Sequence, residues 1–257
     1  MINMTKIAIV TGASSGIGRE YVKRLSETKE LDEIWAIARR TDRLEELKNT
    51  TNTKIIPITL DLTDKTFDEK LNNILVDINP DVRVLVNAAG CGKIGAFEDV
   101  NASEHEKMLE LNVNSLTKIT SLLLPYMSEN SEIYFMASRS GFHPVPYLSV
   151  YAASKAYVLS LARSINKELK YRKIRAIAVS PGWVRTEFID RATLCDGVIT
   201  YYNNFVTAEQ VVKRSFKDMK RGKDISICGF STRFQVFIAK LLPHRLVMWI
   251  WCKQQGK

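Results

Sequence analysis

Short apolar runs alternate with longer segments of helical period along most of this chain. The runs have the length and the β-branched content of strands, and most are apolar on both faces, as in a parallel sheet buried between two helix layers. The alternation therefore predicts a doubly wound α/β fold with a parallel sheet of about seven strands. The predicted strands are KIAIV (6–10), EIWAIA (33–38), KIIPITL (54–60), VRVLVNAA (82–89), EIYFMAS (132–138), IRAIAVS (174–180) and DISIC (224–228).

The intervening segments predict helices, and nothing in them divides the chain. No linker rich in Ser and Gly, low-complexity tract or internal repeat is present, so we expect one domain over residues 1–257. The 46% hydrophobic and 25% charged composition supplies a sizeable core and excludes a disordered or collagen-like chain. The predicted helices cover about 16–26, 43–48, 65–78, 103–127, 149–171 and 208–220.

A glycine-rich turn follows the first predicted strand and opens the first predicted helix. It reads Thr11-Gly12-Ala13-Ser14-Ser15-Gly16-Ile17-Gly18. Glycines allow a tight turn whose N–H groups approach a pyrophosphate, and the helix N-terminus adds partial positive charge. Because the turn lies between a strand and a helix, it predicts a dinucleotide site.

Two further groups of residues have the pattern of a catalytic site. Tyr151 and Lys155, in YAASK, lie one helical turn apart on the same face. A neighbouring ammonium stabilises a phenolate and thus brings the pKa of tyrosine towards neutrality. Ser138 ends the fifth predicted strand, so it faces the same crevice at the carboxyl edge of the sheet.

The T-G-x-x-x-G-x-G turn, with Ser138 and the Y-x-x-x-K motif, resembles the short-chain dehydrogenase/reductase family over about residues 5–187. The resemblance implies a Rossmann-type fold and hydride transfer between a nicotinamide cofactor and a carbonyl or alcohol carbon. It implies that Tyr151 is the general acid/base, that Ser138 holds the reacting oxygen, and that Lys155 binds the nicotinamide ribose. Asn112, in LNVNS, matches the asparagine of the family's proton relay, whereas the offset of Asn114 is wrong. This chemistry needs no metal.

The residues after the second strand favour NADP(H). An NAD-binding relative would carry an acidic residue there, whereas this chain has Arg39 and Arg40 after Ala38. A guanidinium forms charge-assisted bonds to a 2′-phosphate; the alternative is that both arginines only end the strand in solvent. Ser15 stands where NADP-dependent relatives carry a basic residue. The implied cofactor-binding positions are Thr11, Gly12, Ser14, Ser15, Gly16, Ile17, Gly18, Arg39, Arg40, Asp61, Leu62, Asn87, Ala88, Gly90, Tyr151, Lys155, Pro181, Gly182, Val184 and Thr186.

The segments that vary in this family are rich in aromatic side chains. Such a lining suits a bulky apolar carbonyl or alcohol of the hydroxysteroid or bile-acid kind. A 3-oxoacyl thioester or small carbonyl reductase is an alternative, and a non-catalytic NADP-binding regulatory protein is an alternative of another class. The variable loop is placed at about 183–206, and the candidate lining residues are Phe97, Phe142, Tyr147, Trp183, Phe188, Tyr201, Tyr202 and Phe205, with Arg185 and Arg191 at the edge.

The net charge of +9 belongs to the C-terminal part of the chain. Residues 211–257 hold 11 Lys and Arg residues against 2 Asp and Glu residues, so the preceding 210 residues are neutral. This distribution argues against a protein that wraps nucleic acid over its whole surface. The extension at about 230–257, which follows a core at about 5–228, contains the apolar run 234–252. Lys240, Pro243, His244 and Arg245 interrupt that run, which argues against a spanning helix.

The extension instead predicts two short apolar helices separated at Pro243. Packing over the substrate cleft or across a subunit interface is one interpretation, and peripheral attachment to an anionic membrane is the other. The family resemblance implies a homodimer or homotetramer. Four scattered cysteines and an N-terminus without the pattern of a secretion signal lead us to expect a reduced, cytoplasmic enzyme.

Overall fold

A parallel sheet forms the centre of the protein. The computed structural model describes residues 4–28, 30–193, 198–200, 202 and 204–257. Within these residues the sheet has seven strands in the order β3-β2-β1-β4-β5-β6-β7, so the predicted doubly wound fold is confirmed. The strands are β1 (Lys6–Thr11), β2 (Glu33–Ala38), β3 (Lys54–Thr59), β4 (Asp81–Asn87), β5 (Glu132–Met136), β6 (Arg175–Val179) and β7 (Ile225–Ser226).

Both faces of the sheet are buried because the strands are apolar at successive positions. On β1, Ile7 and Ile9 enter one apolar cluster, and Ala8 and Val10 enter another on the opposite face. Helices cover both clusters, as the absence of a polar face on the strand requires. Those described are α1 (Gly16–Thr28), α2 (Thr41–Lys48), α3 (Phe67–Ile78), α4 (Ala102–Leu109), α5 (Leu116–Leu123), α6 (Ser149–Glu168), α7 (Phe188–Ala192), α8 (Ala208–Lys220), α9 (Phe230–Leu241) and α10 (His244–Gln254).

The strand order reverses beside β1. Its neighbours are β2 on one side and β4 on the other. The chain runs from β1 towards β2 and from β4 towards β5, so the loops after β1 and β4 leave the sheet in opposite directions. In an open parallel sheet this switch point leaves a crevice at the carboxyl ends of the strands, where ligands bind. The loops after β1 and β4 form its walls.

The helix predicted over 103–127 is not continuous. A π-helical turn, Glu110–Ser115, separates α4 from α5, and a 3-10 turn, Leu124–Tyr126, follows. The Ser115 hydroxyl donates to the carbonyl oxygen of Glu110 at 2.8 Å. Hydrophobic periodicity does not distinguish one wide turn inside a helix, so the sequence prediction missed it.

The C-terminal extension forms two helices. Gly229, with a φ of +88°, precedes α9, and Pro243 separates α9 from α10. The strand β7 is shorter than the run predicted over 224–228. Among the described residues, none of the helices has both the length and the hydrophobicity that crossing a bilayer demands.

Candidate active site

The turn after β1 forms one end of a cleft of about 780 Å³. Gly12 and Gly16 have φ angles of +67° and +54°, which favour glycine. A Cβ added to Gly18 would lie 2.3 Å from the Gly12 carbonyl oxygen, so only glycine allows α1 to approach the turn so closely. Ser14, Ser15, Gly16, Ile17 and Gly18 all line the cleft. The turn therefore fits the phosphate cradle predicted from the sequence.

Two predicted cofactor residues lie behind the cleft wall. The Thr11 hydroxyl oxygen accepts from the N–H groups of Ala88 and Ala89, both at 3.1 Å. The Asn87 side-chain amide donates to the Thr120 hydroxyl at 3.0 Å. Thr11 and Asn87 are both buried: the Thr11 side chain joins the end of β1 to the segment after β4, and the Asn87 side chain joins β4 to α5. Ala88 and Gly90 line the cleft themselves.

The two arginines after β2 lie on the same side of the cleft. The Arg39 side chain is 69% exposed, and its guanidinium is 3.8 Å from the Asp61 carboxylate. Arg40 donates to the Ser14 hydroxyl in the glycine-rich turn at 3.1 Å. Asp61 and Leu62 line the cleft beside them. Positive charge is thus available close to the cradle.

Glu187 was missed by the sequence interpretation. Its carboxylate accepts from Arg40 at 3.0 Å and from Arg43 at 2.8 Å, and Arg191 also donates to it. These hydrogen bonds, with that from Arg40 foremost, lower the pKa of Glu187. Glu187 directly precedes α7, so the cluster connects the glycine-rich turn to the loop after β6. No local pattern around Glu187 indicates partners almost 150 residues away.

Three predicted catalytic residues meet at the end of β5. Ser138 follows β5, and its hydroxyl accepts from the Ser140 N–H at 3.1 Å. Tyr151, in the first turn of α6, is hydrogen-bonded to Ser138. The Lys155 ammonium lies 5.6 Å from the centre of the Tyr151 ring and donates to the Met136 carbonyl oxygen at 2.7 Å. The spacing that predicted one shared face for Tyr151 and Lys155 therefore matches the structure.

The pKa of Tyr151 differs from the sequence expectation. Burial raises it to about 12, against the smaller lowering by the Ser138 hydrogen bond. Burial also lowers the pKa of Lys155 to about 8. The Lys155 ammonium is hydrogen-bonded to the Met136 carbonyl oxygen, and the desolvation of the phenol outweighs the lowering that the sequence led us to expect from a neighbouring ammonium. At neutral pH the site holds a protonated phenol that can donate a proton.

Asn112 lies in the π-helical turn and joins it to the loop after β4. Its side-chain oxygen accepts from the Cys91 N–H at 2.9 Å, and its amide donates to the Cys91 carbonyl at 2.8 Å and to Ser154 at 3.1 Å. A Cβ added to Gly90 would lie 3.1 Å from Asn112 Oδ1 and 3.4 Å from Lys155 Nζ. Asn112 is therefore close to Lys155. Asn114 is directed elsewhere and donates to Glu110 at 2.7 Å.

The loop after β6 closes the cleft from the other side. Pro181, Gly182, Val184 and Thr186 all line it, as predicted. The Arg139 N–H donates to the Pro181 carbonyl at 2.9 Å, which joins this loop to the segment after Ser138. A Cβ added to Gly16 would lie 3.1 Å from the Thr186 methyl group. The loop thus reaches back to the phosphate cradle.

Aromatic side chains lie around Tyr151. The Phe188 ring centre is 5.6 Å from that of Tyr151, and Trp183 also lines the cleft. Trp251 of α10 lines it as well, and its indole N–H donates to the Pro146 carbonyl at 3.0 Å. Packing over the cleft is one of the interpretations of the extension that the sequence left open, and Trp251 shows that contact.

Other predicted lining residues have different surroundings. Phe97 is exposed and stacks on His105, and Arg185 lies over the ring of Phe205. Tyr202 packs in the apolar cluster beside Tyr151. Tyr201 lies outside the described residues. The predicted residues that do not line the cleft as described are Phe97, Phe142, Tyr147, Arg185, Tyr202 and Phe205, whereas Arg191 does line it.

Comparisons with known proteins found related sequences and similar folds. A family model described as short chain dehydrogenase matches residues 6–194. The very-long-chain 3-oxoacyl-CoA reductase of Bos taurus is 32% identical over 190 residues, which are 70% of this chain and 60% of that protein.

Two solved structures are similar over most of the chain. A short-chain dehydrogenase from Sphingobium yanoikuyae in complex with NADPH is 25% identical, with a TM-score of 0.77 over 91% of this chain and 92% of that one. The bulky-bulky ketone specific alcohol dehydrogenase from Comamonas testosteroni is 26% identical, with a TM-score of 0.71 over 88% and 86%. These neighbours support a nicotinamide cofactor and an enzyme that acts on CH–OH or C=O groups.

Proposed function

The chain belongs to the short-chain dehydrogenase family, and we propose that it is an NADP(H)-dependent oxidoreductase that interconverts a ketone and a secondary alcohol on a bulky apolar substrate. The observation that carries this proposal is the meeting of Ser138, Tyr151 and Lys155 in the cleft that the glycine-rich turn also lines. A hydroxysteroid or bile-acid-like compound is the proposed substrate class.

The chemistry divides between the cofactor and the protein. When bound, NADPH supplies the hydride that adds to the carbonyl carbon. Tyr151 donates its phenolic proton to the developing alkoxide, and Ser138 orients that oxygen by hydrogen bonding. Lys155 would bind the nicotinamide ribose and stabilise the phenolate that proton donation leaves. Asn112 would hold the relay that returns a proton towards Lys155.

Binding of NADP(H) is supported by the charge beside the cradle. Arg39 and Arg40 line the cleft, and Arg40 already donates to the Ser14 hydroxyl of the turn. A guanidinium bound to a phosphate through charge-assisted hydrogen bonds contributes about 1.5–3 kcal/mol. The Sphingobium neighbour holds NADPH, which is consistent with this preference.

The substrate class rests on the apolar lining around Tyr151. Trp183, Phe188 and Trp251 provide large ring surfaces beside the phenol. The cleft of about 780 Å³ belongs to the size range of pockets for small molecules, about 300–1,000 Å³. The Comamonas neighbour, described as specific for bulky-bulky ketones, is consistent with such a substrate.

A 3-oxoacyl thioester is the second candidate substrate. The observation that favours it is the 32% identity to a very-long-chain 3-oxoacyl-CoA reductase. An apolar acyl chain would make the same contacts with Trp183 and Phe188.

A substrate screen tests the activity. The protein would be mixed with NADPH or NADH and with keto bile acids, other ketosteroids, 3-oxoacyl thioesters or small diketones, and the absorbance of the reduced cofactor would be followed. We expect the highest kcat/KM with NADPH and a bulky ketone. Tight NADPH binding without oxidation by any carbonyl would instead support the non-catalytic regulatory protein.

The cofactor preference has its own test. Arg39→Asp and Arg40→Gln should each raise the KM for NADPH by about 10-fold or more and leave the KM for NADH nearly unchanged, because only NADPH carries the 2′-phosphate. Arg43→Gln is the matched control, since Arg43 also contacts Glu187 but does not line the cleft. An unchanged preference in Arg39→Asp would contradict the assignment of that arginine.

The proposal includes assembly as a homodimer or homotetramer, as is common in this family. Two exposed apolar side chains are consistent with such a contact: Leu109 at the end of α4 and Tyr157 on α6. Sedimentation velocity of the full chain would measure its mass, and a monomer at micromolar concentration would contradict this part of the proposal.

A further inference from the structure

One face of α9 carries an uninterrupted apolar stripe that no described residue covers. Phe230, Phe234, Phe237 and Leu241 have relative exposures of 78%, 56%, 57% and 64%. Their spacings of four, three and four residues place them on one side of the helix. A row of large apolar side chains exposed together is uncommon on a monomeric protein and indicates a binding surface.

The opposite side of the extension is packed against the body of the protein. Thr232 and Val236 of α9 are buried, and Gln235 accepts a hydrogen bond from Arg139. Trp251 of α10 is buried in the apolar cluster beside Tyr151. Packing over the cleft therefore explains one side of the extension and leaves the stripe unexplained.

The helix α10 adds further exposed apolar surface. Leu246 and Trp249 have relative exposures of 41% and 58%. Trp249 and Trp251 are only two residues apart, yet one is exposed and the other lines the cleft. Trp249 therefore does not contribute to the lining of the cleft.

The charges of this region all have one sign. The last acidic residue of the chain is Asp224, and every charged side chain after it is basic. Five such residues are in or beside α9 and α10, and all of them are exposed: Arg233, Lys240, Arg245, Lys253 and Lys257. Together with the exposed aromatic rings, they form the pattern of a helix that lies in the interface of an anionic bilayer.

We propose that the exposed side of α9 and α10 docks on a membrane surface rich in anionic lipids. The apolar stripe would enter the boundary between headgroups and acyl chains, while the lysines and arginines would pair with lipid phosphates. A second copy of the chain fits less well, because a two-fold contact through this face would bring basic side chains of both copies together without any acidic partner from the same face.

The position of α10 gives docking a consequence for the proposed function. The same helix presents Trp249 outwards and Trp251 to the cleft, so docking would place the cleft beside the bilayer. A bulky apolar substrate dissolved in the membrane would then enter from that side. This step rests on the proposed function, whereas docking itself does not.

Flotation of the full chain with lipid vesicles tests docking without an activity readout. Vesicles of phosphatidylcholine alone would be compared with vesicles that also contain phosphatidylglycerol. We expect binding to the anionic vesicles, weakened by salt, because charge attraction at a surface is screened. Equal binding to both kinds of vesicle, or binding to neither, would overturn the proposal.

Variants distinguish binding through the α9 stripe from nonspecific binding by exposed apolar side chains elsewhere. The double variant Phe234→Ser and Phe237→Ser should reduce the anionic-vesicle partition coefficient at least 10-fold, and so should Arg245→Gln with Lys253→Gln. Val76→Ser with Ile78→Ser is the matched control, since these residues of α3 have exposures of 61% and 47%. Partitioning of the Phe234/Phe237 variant at the parental level would overturn the proposal.

The same variants distinguish a second copy from a membrane. If the Phe234/Phe237 variant sediments as a smaller assembly than the parent, and the parent does not bind vesicles, the stripe is a subunit interface and the proposal is wrong. Circular dichroism and thermal unfolding would show that each variant is folded. Loss of vesicle binding with ketone reduction intact would support docking, whereas an inactive parent that binds anionic vesicles would contradict only the proposed function.

Discussion

Tyr151 and Lys155 have pKa values that burial moves in opposite directions. Burial disfavours the charged form of each group, so it raises the pKa of the phenol to about 12 and lowers that of the ammonium to about 8. Tyr151 is therefore protonated across the ordinary assay range, as a proton donor must be. Lys155 is the group of this pair whose charge changes close to neutrality.

Replacement of the Tyr151 hydroxyl should abolish most of the chemistry. Tyr151→Phe is expected to lower kcat for ketone reduction by about 10²–10⁴-fold, the usual contribution of a general acid, and to leave NADPH binding nearly intact. Steady-state kinetics and NADPH fluorescence titration would measure the two effects. Tyr157→Phe is the matched control, because Tyr157 lies on the same helix and bonds to Thr117 at 2.9 Å. Equal losses in both variants would contradict the assignment.

The pH dependence should follow Lys155. Its pKa of about 8 means that the ammonium is lost as the pH rises through that value, so kcat/KM for reduction should be level near pH 7 and fall above about pH 8. Lys155→Arg should be slower but should lack this alkaline decline, since arginine stays protonated to about pH 12. The measurement is the pH profile of kcat/KM for both proteins. A fall of kcat/KM at the same pH in Lys155→Arg would assign the titration to another group.

At the scale of elements, turns that depart from regular geometry connect the walls of the site. The π-helical turn brings Asn112 to the backbone of Cys91, and the close packing at Gly18 brings α1 to the turn after β1. Both features join a helix to the carboxyl end of a central strand. Changes there should affect the stability and the site together.

Asn112→Ala should lower the free energy of unfolding by about 1–3 kcal/mol, because it leaves buried polar partners such as the Cys91 N–H without their hydrogen bonds. It should also lower kcat through displacement of the loop beside Lys155. Urea unfolding and steady-state kinetics would measure these losses. Asn114→Ala, which removes an exposed side chain, should change stability by no more than about 0.5 kcal/mol. Similar losses in the two variants would contradict a special role for Asn112.

Gly18→Ala should impair cofactor binding, because the new Cβ would lie 2.3 Å from the Gly12 carbonyl oxygen and force the turn away from α1. We expect a stability loss of about 1–3 kcal/mol and at least a 10-fold rise in the Kd for NADPH. Gly222→Ala is the control: Gly222 has a φ of +69° but open space around it. Gly222→Ala should lower the free energy of unfolding by about 1 kcal/mol through backbone strain and leave the Kd for NADPH unchanged. A normal Kd in Gly18→Ala, measured by calorimetry, would contradict the cradle.

For the whole molecule, the cleft joins loops from both halves of the sheet. The turn after β1, the arginines after β2 and the loop after β6 all line it, and Glu187 connects the last of these to Arg40. A ligand that contacts all three therefore links segments far apart in the chain. Its binding should stabilise the folded state as a whole.

NADPH should raise the thermal midpoint more than NADH does. At 100 times its Kd, a ligand specific for the folded state adds about 2.7 kcal/mol, which corresponds to roughly 5–10 °C for a chain of this size. Differential scanning fluorimetry at equal concentrations of both cofactors would measure the shifts. Equal shifts, or a larger one with NADH, would contradict the proposed NADP(H) preference.

Most of the fold could be predicted from the sequence because its signals are local. Strand runs, the glycine-rich turn and the i,i+4 spacing of Tyr151 and Lys155 each occupy a few consecutive residues, and each matches the structure. The π-helical turn was missed, since hydrophobic period alone does not determine such a detail. Single-domain organisation over 1–257 stays a prediction.

The sequence by itself determined the strand and helix order, the cradle and the identity of the catalytic candidates, because backbone propensity and side-chain period act over short distances. Only the tertiary structure decided the direction of the pKa shifts, the contact of Glu187 with three arginines, and the division of the extension into Trp251 inside and Trp249 outside. Those properties depend on burial and on contacts between segments distant in the chain, which local pattern does not specify.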